Sequence, residues 1–145
     1  MYKLVVLILV TAGALLAACG PGASSSGGTA GPTTVPITMT EFKIDTPQTT
    51  FKVGVPYRFV VSNKGTVNHD FSISPPVMEG MAGMSTEEMH KNALAVIDAA
   101  DLPPGTSKTI DLTFSKPYST SEMEFACHTA GHYEAGMKVP ISVTQ

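Results

Sequence analysis

The stretch CHTAGHYEAGM, Cys127 to Met137, places a thiol, an imidazole and a thioether along the chain with four residues between each neighbouring pair. A cysteine in this setting has three uses. It can be a small, inert buried hydrophobe, a nucleophile whose thiolate is activated by His128 or His132, or a metal ligand. Met137 separates them, because a thioether does nothing for acyl transfer but is a natural weak ligand for copper. Two histidines, a cysteine and a long axial methionine form the set used by blue-copper electron-transfer sites, soft enough for Cu(I) and nitrogen-rich enough for Cu(II). Zinc accepts Cys and His but rarely Met. A binuclear copper centre needs a second Cys in this loop, and the only other cysteine is Cys19.

The second imidazole must come from another part of the chain. His69 is the candidate: it follows the turn Asn63-Lys64-Gly65 and shares one alternating face with Val67, Phe71 and Ile73. His128 is the rival, but adjacency to Cys127 on an extended segment points it away from the metal, as a solvent-facing or supporting histidine. His90 reads as an exposed helix residue. Gly131 and Gly136 each precede a candidate ligand, where a sharp backbone turn favours glycine.

The elements that must bring these residues together are strands. From Pro36 onward short alternating runs are separated by turn residues. They are Ile37–Ile44, Thr49–Val53, Tyr57–Asn63, Val67–Ser74, Ser107–Phe114, Glu122–Cys127 and Lys138–Val143. This pattern predicts an all-β antiparallel sandwich of about seven to eight strands, built as one domain. Pro75 to Gly105 breaks it as an insertion. There Ser85 with Glu88 forms a capping-box signature for one short helix over Thr86–Ala93, followed by a turn at Ala99–Gly105.

Three segments, EFKI at Glu41–Ile44, NKGTVNHDFSI at Asn63–Ile73 and FACHTAGHYEAGMKVPISV at Phe125–Val143, resemble the cupredoxins, the type 1 blue-copper proteins. The resemblance covers nearly all of Pro36–Gln145. Its Cys-x4-His-x4-Met spacing is closer to the auracyanin and rusticyanin branches than to plastocyanin. It implies a Greek-key β-sandwich holding one copper ion, with His69, Cys127 and His132 as equatorial ligands and Met137 as the axial one. It also implies that Asn68, beside the first histidine, ties the two ligand loops together by hydrogen bonds. The implied function is one-electron transfer between redox proteins such as a cytochrome or a membrane oxidoreductase, without catalysis. The insertion has no counterpart in the commonest members. Its Met78, Met81, Met84 and Met89, with His90, could hold Cu(I), which makes an extracytoplasmic copper carrier or chaperone the alternative; adaptable packing or a forgiving contact surface is the plainer reading.

The N-terminus predicts where the protein works. Met1–Ala18 has one cation, Lys3, then an apolar run from Leu4 to Val10 and small residues, the layout of a signal peptide and too short to span a bilayer. Leu16-Ala17-Ala18-Cys19 resembles the lipobox of bacterial lipoproteins, which implies a diacylated Cys19 anchoring the mature chain in the periplasm or at the cell surface. Residues 19–35 are then the lipidated Cys and a Gly/Ser/Thr-rich linker, and residues 36–145 the copper domain. Losing the signal removes only Lys3 and takes the formal charge from −3 to −4. No basic run points to nucleic acid.

Overall fold

The structure is a computed structural model that describes residues 31–78 and 84–145. The signal segment, Cys19, most of the linker and Met81 lie outside the described residues. The strands are β1 Thr33–Thr40, β2 Lys43–Asp45, β3 Thr50–Lys52, β4 Pro56–Asn63, β5 Phe71–Ser74, β6 Ala95–Ile97, β7 Ser107–Thr113, β8 Glu124–Ala126, β9 Lys138–Pro140 and β10 Ser142–Thr144. One short helix, α1 Thr86–His90, accompanies them. One sheet has the order β2-β1-β4-β7, a second the order β6-β5-β8-β9, and β10 pairs with β3 as a ribbon.

Alternation sets the inward faces. Val35, Ile37 and Met39 of β1 and Tyr57, Phe59 and Val61 of β4 are buried, while their neighbours are exposed or half-buried. β1 and β4 run parallel, with Val35 opposite Phe59 and Ile37 opposite Val61. Phe51 fills the centre, with its ring 5.0 Å from Tyr57, 5.5 Å from Phe59 and Phe114 and 5.8 Å from Phe125. Edge-on and tilted ring contacts of this kind add to the energy of area burial.

The expected all-β sandwich is present, but it is not purely antiparallel as expected, since β1 pairs parallel with β4 and β10 with β3. The described residues hold ten strands because the runs Ile37–Ile44 and Lys138–Val143 each divide in two, as β1 with β2 and β9 with β10, and the insertion supplies β6. β1 starts at Thr33, inside the segment read as linker, since Val35 already packs in the core. The run Ile37–Ile44 is two strands, folded back at Phe42, whose φ of 62° places it in the left-handed region. The capping box forms: Ser85 Oγ accepts from the Glu88 N–H, and Glu88 accepts from the Ser85 N–H. The helix ends at His90 rather than Ala93, because the next residues complete a sheet edge. Leu94 N–H donates to the Ile73 carbonyl at 2.7 Å, and β6 pairs antiparallel with β5.

Candidate metal centre

The β1–β2 turn, the β4–β5 connection and the loop between β8 and β9 meet at one end of the sandwich. Lys64 N–H donates to the Met39 carbonyl at 2.8 Å, the Asp70 N–H donates to Thr129 Oγ1 at 3.3 Å, and the Phe42 ring lies edge-on to His132 at 5.2 Å. Asn63, the buried last residue of β4, shapes the first ligand loop. Its amide donates to the carbonyls of Val67 at 2.8 Å and Leu102 at 2.9 Å, and its Oδ1 accepts from the Gly65 N–H at 2.9 Å. Sequence reasoning saw only a turn here.

The second loop is held by its own backbone. Cys127 N–H donates to the Met137 carbonyl at 3.1 Å, and Met137 N–H donates to the His132 carbonyl at 3.0 Å. Gly131 and Gly136 have φ of 80° and 94°, the left-handed turns expected before each ligand.

These loops bring His69, Cys127 and His132 together. His69 Nδ1 lies 3.2 Å from His132 Nδ1, and Cys127 Sγ lies 3.7 Å from His69 Nδ1 and 3.6 Å from His132 Nδ1. Bonds of roughly 2.0–2.3 Å to nitrogen and sulfur, as borderline metals make, give donor–donor edges of this size. Met137 is fully buried in the same loop. The donors therefore fit copper by chemistry and by separation, and His69, Cys127, His132 and Met137 would hold it.

The surroundings favour neutral donors in the metal-free protein. Burial pushes the Cys127 thiol up to about 12, helped by the nearby Asp70 carboxylate. Burial lowers the pKa of His69, and His132 adds to that effect. Glu41 sits above the first loop, held ionised with a pKa of about 2 by N–H donation from Thr66. Gly65 makes room for it: a Cβ there would lie 2.7 Å from Glu41 Oε1 and 3.0 Å from His69 Nε2.

The tie between the ligand loops is made by Asp70 rather than by Asn68. Asn68 is exposed and makes no side-chain hydrogen bond among the described residues. Asp70 is buried, and its Oδ1 accepts from Thr129 N–H at 2.6 Å and Thr129 Oγ1 at 2.9 Å and faces the Cys127 thiol at 3.3 Å. Its Oδ2 accepts from His128 N–H at 3.0 Å and meets His90 Nε2 at 3.1 Å. Burial alone would raise the Asp70 pKa; the donors, led by the His128 N–H, outweigh it and lower the pKa. The reason for the change of residue is direction. The side chain following the ligand histidine turns back toward the second loop, while the one preceding it faces water. The signal was present in the sequence as a carboxylate directly after His69.

His128 points away from the donor triangle as expected, but into the protein, with Nδ1 3.4 Å from Ser72 Oγ. His90 also departs from expectation: its side chain is 11 % exposed and is engaged with Asp70. Of the methionines in the insertion, Met78 is exposed, whereas Met84 and Met89 line a cavity of about 340 Å³ together with Val77, His128 and Tyr133.

No protein-family model matches the chain. It is 31 % identical over 110 residues to the copper-resistant cuproprotein CopI of Rubrivivax gelatinosus, covering 72 % of this chain and 62 % of that protein. It is 27 % identical over 125 residues to the copper-resistant cuproprotein CopI of Pseudomonas aeruginosa, covering 63 % of this chain and 65 % of that one. The chain thus spans a little under two thirds of the length of these relatives. The solved structure of reduced auracyanin from Roseiflexus castenholzii superposes with a TM-score of 0.60 at 25 % identity, over 78 % of this chain and 98 % of that one. A copper donor set gathered by two loops at one end of an auracyanin-like sandwich gives this chain the fold and the metal-site geometry of the cupredoxins.

Proposed function

We propose that the protein is a one-electron carrier outside the cytoplasm, held at a membrane by a lipidated Cys19, and not an enzyme. The observation that carries this reading is the donor triangle, with edges of 3.2, 3.6 and 3.7 Å. Bound copper would supply the Cu(II)/Cu(I) couple. The chain's part is to keep those donors fixed by the Asp70 and Asn63 hydrogen bonds, so that a change of oxidation state moves little. Four protein ligands leave no coordination position for a substrate. Redox partners such as a cytochrome or membrane oxidoreductase would approach beside His132, where Phe42 is 53 % exposed.

The test is the absorption and EPR spectrum of the Cu(II)-loaded protein. An intense thiolate-to-copper band with one copper per chain, absent in Cys127→Ser, is expected; a coloured serine variant would remove Cys127 from the site.

A second reading, copper handling, is favoured by Met84 and Met89 sharing a cavity with His128, and by the name of the CopI relatives. A carrier would take up more than one equivalent of Cu(I), and an electron carrier one.

A further inference from the structure

Behind the copper ligands, on the side away from the donor triangle, lies a second group of ligating atoms. Asp70 Oδ2, His90 Nε2 and a ring nitrogen of His128 lie within 4.8 Å of one another. Asp70 Oδ2 is 3.1 Å from His90 Nε2 and 3.7 Å from His128 Nδ1. A tetrahedral ion bonded at roughly 2.0–2.1 Å to nitrogen and oxygen needs donor–donor edges of about 3.3 Å, between those two values. The three residues come from separate parts of the fold. Asp70 precedes β5, His128 follows β8, and His90 closes α1 of the insertion.

We propose that Asp70, His90 and His128 form a second metal site, for zinc(II), back to back with the first. Two imidazoles and a carboxylate are borderline donors, and edges near the tetrahedral value suit Zn(II), whereas Cu(II) favours a square-planar or tetragonal set. The ion replaces the proton shared by His90 Nε2 and Asp70 Oδ2, while Oδ2 keeps the N–H of His128. Ser72 Oγ, now beside His128 Nδ1, has Ser74 Oγ at 3.1 Å as its other partner. Access is from a cavity lined by Thr86, Glu87, His90, Val96 and Asp98, and the exposed Asp98 carboxylate lies 3.9 Å from His90 Nδ1. Two acidic residues at that mouth favour a cation on entry. The two sites share one carboxylate: Oδ1 faces the Cys127 sulfur at 3.3 Å, and Oδ2 belongs to the second group. A cation at the second site therefore draws negative charge away from the thiolate and raises the reduction potential of copper at the first.

The inference builds on the type 1 site, and its test reads the two separately. Full-length protein carrying one copper, confirmed by its visible band, is titrated with Zn(II), which thioethers bind poorly and which does not displace copper. Expected are one zinc per chain by equilibrium dialysis and a rise in the reduction potential as it binds. Both are lost in His90→Gln, which keeps an N–H donor for Asp70 but no imidazole, and in His90→Ala, with the visible band retained. No zinc bound, zinc that survives His90→Gln, or zinc that leaves the potential unchanged would each overturn the second site. A missing visible band in the starting protein would instead count against the first.

Discussion

At Cys127 burial and function pull against each other. Burial and Asp70 raise the thiol pKa from 9.0 to about 12, so the metal-free protein holds a proton where copper needs a thiolate. Loading with Cu(II) near neutral pH should therefore release one proton per chain from this residue, measurable in weakly buffered solution, and none in Cys127→Ser. The same shift fixes a pH dependence for the metal-free fold. A thiol whose folded pKa is raised contributes stability that is complete below about pH 9 and is lost as pH climbs toward about 12. Denaturant midpoints should fall over that range in the wild type and less steeply in Cys127→Ser. Met137 acts on the couple instead. Met137→Leu should keep copper and raise the potential, because a lost thioether disfavours Cu(II), and Met137→Gln should lower it. Unchanged voltammetry in both variants would take Met137 out of the coordination sphere.

The insertion is the element whose role the structure redefines. It touches the second ligand loop from behind: Val77 N–H donates to Tyr133 Oη at 3.0 Å, Thr86 Oγ1 donates to the His128 carbonyl at 3.2 Å, and His90 meets Asp70. Tyr133 passes the brace on, donating to the buried Glu124 at 2.6 Å and stacking on His128 at 5.2 Å. None of these contacts reaches His69, Cys127 or His132 side chains. Shortening Pro75–Met89 to a tight turn should therefore leave a visible copper band. It should cost about 1–3 kcal/mol in denaturant unfolding through buried groups left unpaired. The potential should also fall, since the deletion removes the helix that holds His90 against Asp70, and Asp70 released from His90 bears more directly on the thiolate. Unchanged stability would show that the brace carries no load.

For the whole molecule, the proposed function gives the two ends of the chain separate tasks. No helix among the described residues is long and apolar enough to cross a membrane, and the proposed anchor is Cys19. Cys19→Ala should move the protein from the membrane fraction to the soluble one while its copper spectrum stays the same; retention in the membrane would point to another anchor or a bound partner. The sequence by itself determined the all-β class, the inward faces of β1 and β4, the capping box of α1 and the donors His69, Cys127, His132 and Met137. Each of these follows from local periodicity, or from residue types that only one chemistry uses together. Tertiary structure alone decided that Asp70 rather than Asn68 joins the loops, that Asn63 shapes the first of them, and that His90 and His128 turn inward to the same carboxylate. The Asp70 contacts and the Asn63 bond to Leu102 link residues 20 to 59 positions apart, while the other two Asn63 bonds are local. The direction in which a loop side chain points is set by the neighbours the fold supplies, and no local pattern records it.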